Sequence, residues 1–232
     1  MILRVKFNKK NYLKYIGHLD LLRLFQRTFN RAEIPVKYSE GFNPHPKFSI
    51  ANPLSLGIES EEEYMDIDLV EKINTEDFIK RMNHILPKDI QILDAIYPDD
   101  EKSISAKLSW ALYEIRFDIE KDLSLDEVKS ILENWLNSGE IMISRLRKKG
   151  KRKVMKEEDI RPLIQMIQVK EKADNEVTIE SVMRVGDGGN LRPFDFVDAL
   201  GNNIELGMDV DSASLIRKAL YIENGERLDK PI

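Results

Sequence analysis

A chain of 232 residues with 42% hydrophobic and 33% charged side chains can build one large or two small cores and has the balance of a globular protein. The absence of cysteine excludes disulfides, thiolate nucleophiles and cysteine-ligated zinc or iron–sulfur centres in this chain. No apolar run approaches the roughly 18 residues of a membrane span, and the Met1-Ile2-Leu3-Arg4 start lacks the order of a signal peptide, so a cytoplasmic protein with no membrane partner is expected.

The formal net charge of −5 hides a segregated distribution. Up to residue 50, Arg4, Lys6, Lys9, Lys10, Lys14, Arg23, Arg27, Arg31, Lys37 and Lys47 face only Asp20, Glu33 and Glu40, whereas residues 59–101 are rich in Asp and Glu. Leu3, Val5 and Phe7 alternate with Arg4 and Lys6, which predicts a half-buried strand over about 2–8. Leu19, Leu22, Phe25, Phe29 and Ala32 recur at helical spacing before Pro35, predicting a helix over about 18–32. Its polar side carries Arg23, Arg27 and Arg31 at successive i,i+4 steps, a row that repels itself unless an anion lies against it.

Strands are expected at about 35–38, 47–52 and 63–70, then a helix over about 75–86 capped by Asn74 or Thr75 and closed by Pro87, then a strand through Ile90, Ile92 and Ile96. The β-α-β-β-α-β order is that of a ferredoxin-like domain over 1–98, followed by a linker at 99–109. A second α+β unit spans 110–232, with a strand at 110–119, a helix behind Ser124 ending near Gly139, and a strand beginning at Ile141-Met142-Ile143. Paired strands at 163–170 and 176–184, a short helix after Pro193 and a strand over 214–222 complete it. This unit is a candidate degenerate copy of the first, although similarity between the halves is too weak to claim a repeat. The run from Arg145 to Lys153 is a third, strongly basic block.

Three places could carry chemistry. In Tyr38-Ser39-Glu40-Gly41-Phe42-Asn43-Pro44-His45-Pro46-Lys47, two prolines fix the frame on which His45 is presented. His18 opens the first helix, where the macrodipole favours a neutral imidazole suited to a base. Asp20 points to another face of that helix, so a local His18–Asp20 metal pair is not expected; His84 reads as surface or packing, and no metal site is assigned. The Gly186-Asp187-Gly188-Gly189-Asn190-Leu191-Arg192 loop precedes a helix, so Gly188 and Gly189 could offer amides to an anion clamped by Arg192, or simply turn the chain. It lacks the Gly-Lys-Ser/Thr ending of a P-loop and the Rossmann spacing.

Tyr15-Ile16-Gly17-His18-Leu19-Asp20-Leu21, the arginine-lined helix, Tyr38 to Lys47, Pro53-Leu54-Ser55-Leu56-Gly57, Glu63-Tyr64-Met65-Asp66 and Gly189-Asn190-Leu191-Arg192-Pro193 together resemble the radical-SAM-linked protein family. That family is a bacterial domain of unknown function, fused to or encoded beside radical SAM proteins and often near a ribonuclease of the E/G type. This chain has Gly17 where the family usually has a serine before the histidine. The resemblance implies a radical SAM partner and an RNA-related setting. S-adenosylmethionine and the iron–sulfur cluster would then belong to the partner, with no cofactor in this chain.

The function expected is an RNA-binding accessory protein working with a radical SAM RNA-modifying enzyme. Arg23, Arg27, Arg31, Lys47 and the block of Arg145, Arg147, Lys148, Lys149, Lys151, Arg152 and Lys153 would neutralise phosphates, while Tyr38 and Phe42 stack on an unpaired base. Two alternatives come from other classes. One is a metal-independent ribonuclease or transferase using His18 and His45 as acid and base; the other is a protein–protein scaffold whose acidic 59–101 stretch docks the partner.

Overall fold

The computed structural model of the chain describes residues 1–100, 102–149 and 152–232, with the backbone alone at 146–149, 152 and 153. The elements in chain order are β1 (Ile2–Lys9), a 3₁₀ turn (Asn11–Tyr15), α1 (His18–Arg31), β2 (Phe48–Ile50), β3 (Glu59–Asp68), α2 (Thr75–Ile85), β4 (Ile92–Ile96) and α3 (Ile104–Lys107). There follow β5 (Leu108–Ile119), α4 (Leu125–Leu136), β6 (Met142–Lys149), β7 (Arg152–Asp159), a second 3₁₀ turn (Arg161–Leu163), β8 (Ile164–Ala173), β9 (Glu176–Arg184), α5 (Pro193–Asn203), β10 (Met208–Asn224) and β11 (Arg227–Asp229). The chain is a mixed α+β protein. Among the described residues no helix is long and apolar enough to cross a membrane.

Two compact units emerge, one of Met1–Trp110 with Ile216–Ile232 and one of Ala111–Leu215. The chain's last residues thus leave the second domain to which the sequence reading assigned them. The cause is strand pairing: Ile216 and Arg217 of β10 lie in parallel register with Glu59 and Ser60 of β3.

In the first unit β1 is flanked on both sides, by β3 from Ile2↔Asp68 to Lys9↔Ser60 and by β4 from Arg4↔Ile96 to Phe7↔Ile92, both antiparallel. β2 joins β3 with Phe48 opposite Ile67. The alternation read in β1 buries Leu3, Val5 and Phe7 completely. Against them α1 lays Leu21, Phe25 and Phe29; the Phe7 and Phe25 rings meet edge-on at 5.0 Å, and Phe29 meets Phe48 at 5.1 Å. In α2, Asn74 caps the first turn by accepting from the Asp77 amide at 3.0 Å, and Phe78 and Met82 are buried. Arg81 of α2 donates to the carbonyls of Ala32 (2.8 Å) and Glu33, satisfying acceptors at the end of α1.

The expected strand at 35–38 is reduced to two isolated bridges, Val36↔Leu69 and Tyr38↔Pro46. Pro35 has no N–H to give, and the Val36 amide turns back onto the Ile34 carbonyl at 2.8 Å. The 3₁₀ turn at Asn11–Tyr15 is an element that periodicity did not foresee, entered through Asn11 at φ 51°.

In the second unit the capping box is complete: the Glu127 amide donates to Ser124 Oγ at 3.3 Å while the Ser124 amide donates to Glu127 Oε2 at 2.8 Å. β8 and β9 form the antiparallel pair that was expected, closing with Ala173 opposite Glu176. The strand expected to begin at Ile141-Met142-Ile143 starts at Met142, runs to Lys149 and pairs with β7 from Met142↔Asp159 to Lys149↔Arg152. β7 escaped the sequence reading because its exposed Val154 and Met155 sit among charged residues with no period-2 pattern. Trp135 of α4 packs on Phe196 of α5 with ring centroids 5.9 Å apart.

Candidate nucleic-acid interface

Burial of Phe25 and Phe29 on one side of α1 dictates that Arg23, Arg27 and Arg31 stand on the other, and all three are exposed. Arg23 is bridged within the helix to Asp20 at 2.9 Å. Among the described residues Arg27 and Arg31 have no ion-pair partner. Tyr38 donates its hydroxyl to Asn30 Oδ1 at 2.9 Å, anchoring the following loop beside these two arginines. That loop is closed on itself: the Ser39 amide donates to the His45 carbonyl at 2.8 Å and the His45 amide to Ser39 Oγ at 3.0 Å. Gly41 turns it at φ 123°, a conformation that a side chain would resist. At its tip Phe42 is fully exposed, an apolar ring in water.

Lys47 leaves the loop half-buried, its amide donating to the carbonyl of exposed Lys37 at 2.7 Å, so Lys37, counted among the basic residues of this end but not among the site residues, adds a cation to this region. Among the described residues, His45 does not line the space that His18 lines. His18 lines a space of about 10 Å³, one water in size, with Lys9, Leu21, Ile50, Pro53, Leu54 and Glu63. His45 is exposed on the loop that Tyr38 anchors at Asn30, and Asn30 itself lies about 18 Å of helix rise from His18.

Beside His18 lies a charged cluster that sequence reading did not find. Arg217 (1% exposed) donates through Nε to Glu63 Oε1 at 2.8 Å, pairs with Glu63 again through Nη2, and donates to the Asn52 carbonyl at 3.0 Å. Lys9, 2% exposed, gives its amine to the Ile16 carbonyl at 3.3 Å. Burial pulls its pKa below the ordinary 10.5, with Glu63 opposing and Arg217 reinforcing the shift. Glu63 and Arg217 stand 154 positions apart, and no local pattern could have joined them.

The carboxylates of β3 from Glu59 to Asp66, at the start of the acidic stretch, are paired within the fold. Glu59 pairs with Lys14 at 3.2 Å, Glu61 with Lys218, Glu62 with Lys6 at 3.6 Å and Lys230 at 2.6 Å, and Asp66 with Arg4 at 2.9 Å. These β3 carboxylates complement cations from β1, the first 3₁₀ turn, β10 and the end of the chain, whereas Glu71 and Glu76 further along the stretch are exposed.

Arg145 also departs from expectation. It is 8% exposed and held by Glu158 at 3.1 Å and Asp195 at 2.6 Å, so it is not a free phosphate contact. The side chains of Arg147, Lys148, Lys149, Arg152 and Lys153, and the whole of Lys151, lie outside the described residues. The glycine loop is a packing device. A Cβ at Gly188 would lie 2.4 Å from the Arg184 guanidinium, and the Gly189 amide is engaged with the Gly186 carbonyl at 3.3 Å. Arg192 donates to Asp195 at 2.8 Å, and that carboxylate already sits in the first turn of α5, where an anion would have to bind. The Gly189 amide and Arg192, two parts of the expected anion clamp, are thus already engaged within the chain. Among the described residues no group of three or more His, Asp or Glu is placed to hold a metal ion.

A family model described as "Uncharacterized protein conserved in bacteria (DUF2344)" matches residues 3–193. No curated protein matches. Among solved structures, a chain from a Cbf5–Nop10–Gar1 complex is similar at a TM-score of 0.50 and 9% identity, covering 96% of this chain and 50% of that one. A chain from an H/ACA RNP bound to a substrate RNA containing 2′-deoxyuridine gives a TM-score of 0.47 and 12% identity, covering 92% and 46%. This chain spans about half the length of the solved chains it resembles, and at such identity the likeness speaks to the fold alone.

Proposed function

We propose that this chain, which belongs to the DUF2344 family of uncharacterized proteins conserved in bacteria, is an RNA-binding accessory protein that presents a structured RNA to a radical SAM modifying enzyme. The observation that carries the RNA reading is the exposed face of α1. Arg27 and Arg31 stand there without an ion-pair partner among the described residues, beside a loop fixed by the Tyr38–Asn30 hydrogen bond, with the Phe42 ring in solvent. Two uncompensated guanidinium groups suit phosphates, and an exposed ring next to them suits an unstacked base; the combination is the chemistry of loop and single-strand recognition. The radical SAM partnership rests on the motif resemblance. A chain without cysteine would leave S-adenosylmethionine and the iron–sulfur cluster to that partner.

The alternatives have less behind them. A concerted acid–base pair requires His18 and His45 to meet at one substrate, and His18 lines a water-sized space that His45 does not line. For an acidic docking face, the β3 carboxylates Glu59, Glu61 and Asp66 are already engaged within the fold.

The test is the salt dependence of binding to total cellular RNA. Each neutralised phosphate contributes roughly 0.7–0.9 to the slope of log K against log salt, so Arg27→Glu with Arg31→Glu should flatten it by about 1.4–1.8. Phe42→Ala should weaken binding by about 1–3 kcal/mol while leaving the slope unchanged. Absent or salt-independent binding by the unmodified chain overturns the reading.

A further inference from the structure

The turn between β1 and α1 holds a second exposed aromatic feature, unrelated to the Phe42 loop. Tyr12 and Tyr15 are 84% and 64% exposed, and both line a cavity of about 390 Å³ together with Lys14, Glu59, Lys88 and Asp89. Their spacing within a 3₁₀ turn has a geometric consequence. With three residues per turn, side chains at i and i+3 eclipse, so the two rings leave the backbone in the same direction. A rise of about 2 Å per residue offsets them by about 6 Å along the axis. A planar group held in van der Waals contact on both faces needs about 7 Å, a difference that small side-chain rotations absorb.

The polar rim is mixed in sign. Lys14 bonds Glu59 Oε1 at 3.2 Å and sits 5.5 Å from the centre of the Tyr15 ring. Asp89 Oδ1 accepts from the Asn11 side chain at 2.7 Å. Glu59 Oε2 and Asp89 Oδ2 keep no hydrogen-bond partner among the described residues, and exposed Lys88 has no ion-pair partner among them. The site therefore offers two aromatic faces, carboxylate acceptors and ammonium donors around a space larger than one heterocycle. A bare phosphate would meet the carboxylates, and an aliphatic ligand would leave the charges without use. A nucleobase carrying an exocyclic amine satisfies rings, acceptors and donors together.

We infer that Tyr12 and Tyr15 form a clamp for an unpaired, amine-bearing nucleobase. This deepens the RNA-binding reading, on which it rests, by adding a specific base contact remote from the arginine face. His18 begins α1 just beyond Tyr15, whereas Asn30, the anchor of the Phe42 loop, lies near its far end. An RNA engaging both sites would run along α1, its backbone passing Arg27 and Arg31.

Two measurements on the full chain separate the clamp from the broader reading. In the first, Tyr12→Leu/Tyr15→Leu and Tyr12→Phe/Tyr15→Phe are compared on a hairpin RNA with an unpaired adenosine-rich loop and on a fully paired duplex of equal length. The leucine pair should lose roughly 5- to 150-fold per stack on the hairpin, with duplex affinity and salt slope unchanged, and the phenylalanine pair should bind normally. In the second, adenosine 5′-monophosphate titrated against the protein should shift the Tyr12 and Tyr15 ring resonances. If the nucleotide shifts the rings but no RNA binds, the clamp stands and the accessory-protein reading falls. If RNA binding depends on Arg27 and Arg31 while the nucleotide leaves the rings unmoved and the leucine pair costs nothing, the clamp falls alone. Leucine variants that lose self-association or a protein partner while hairpin and nucleotide binding persist would assign the rings to a protein contact and overturn the clamp.

Discussion

Two stretches of basic residues look alike on paper and behave oppositely in the fold. The arginines of α1 occupy an exposed face, and Arg27 and Arg31 keep their charge in solvent. Arg145, at the head of the densest basic block, is instead buried between Glu158 and Asp195. The difference lies in what topology brings opposite each of them. An exposed helix face meets only residues three or four positions away, so its charge balance is visible locally. A strand residue meets whatever its neighbours in space carry: β7 supplies Glu158 and α5 supplies Asp195. Arg217 is the extreme case, a guanidinium fully withdrawn from water and held by the carboxylate of Glu63.

Removing single partners sharpens the contrast. Glu63→Ala strands Arg217 without its carboxylate beside an already buried Lys9, and loss of one member of a buried pair costs about 3–5 kcal/mol. Urea unfolding should show this, and replacing both by leucine should recover most of it, because desolvation is then avoided as well. A loss below about 1 kcal/mol for Glu63→Ala would mean that water reaches the pair. Arg145→Ala should cost less, about 1–3 kcal/mol, since Asp195 retains Arg192 and Glu158 is partly exposed. Arg27→Ala with Arg31→Ala should change stability by no more than about 0.5 kcal/mol. A large destabilisation by this last pair would show that those arginines are structural and would erase the distinction between the two regions.

What the sequence disclosed follows the same division. The β1 alternation, the amphipathic α1, the Asn74 and Ser124 caps and the β8–β9 pair are local patterns, and the structure contains them all. The exposure of Arg27, Arg31 and Phe42 was likewise readable, because a helix with one apolar face and a Gly-Pro loop leave few other places for them. The Lys9–Glu63–Arg217 cluster, the return of β10 to β3 and the capture of Arg145 all depend on long-range pairing that no spacing encodes. The 3₁₀ turn with Tyr12 and Tyr15 was hidden for a different reason. At five residues it is shorter than any window in which a period can be recognised.

The smallest expected effect concerns Lys9, where the two kinds of cation meet in one residue. Its amine is as buried as the Arg217 guanidinium, yet its hydrogen bond goes to a carbonyl rather than to a carboxylate. Burial holds the folded-state pKa below 10.5, so between that lowered value and 10.5 the unfolded chain binds more protons than the native one. Stability contributed at this position therefore rises with pH through that window and levels off above it. Lys9→Met keeps the stem and deletes the charge, which removes the rise. Urea midpoints measured from pH 7 to pH 10 should place the variant furthest ahead of the parent at the low end, with the gap narrowing as the parent's amine loses its proton. A gap that stays constant across the series would show that the ammonium is solvated or fully paired, and would move Lys9 from the buried class of cations to the exposed one.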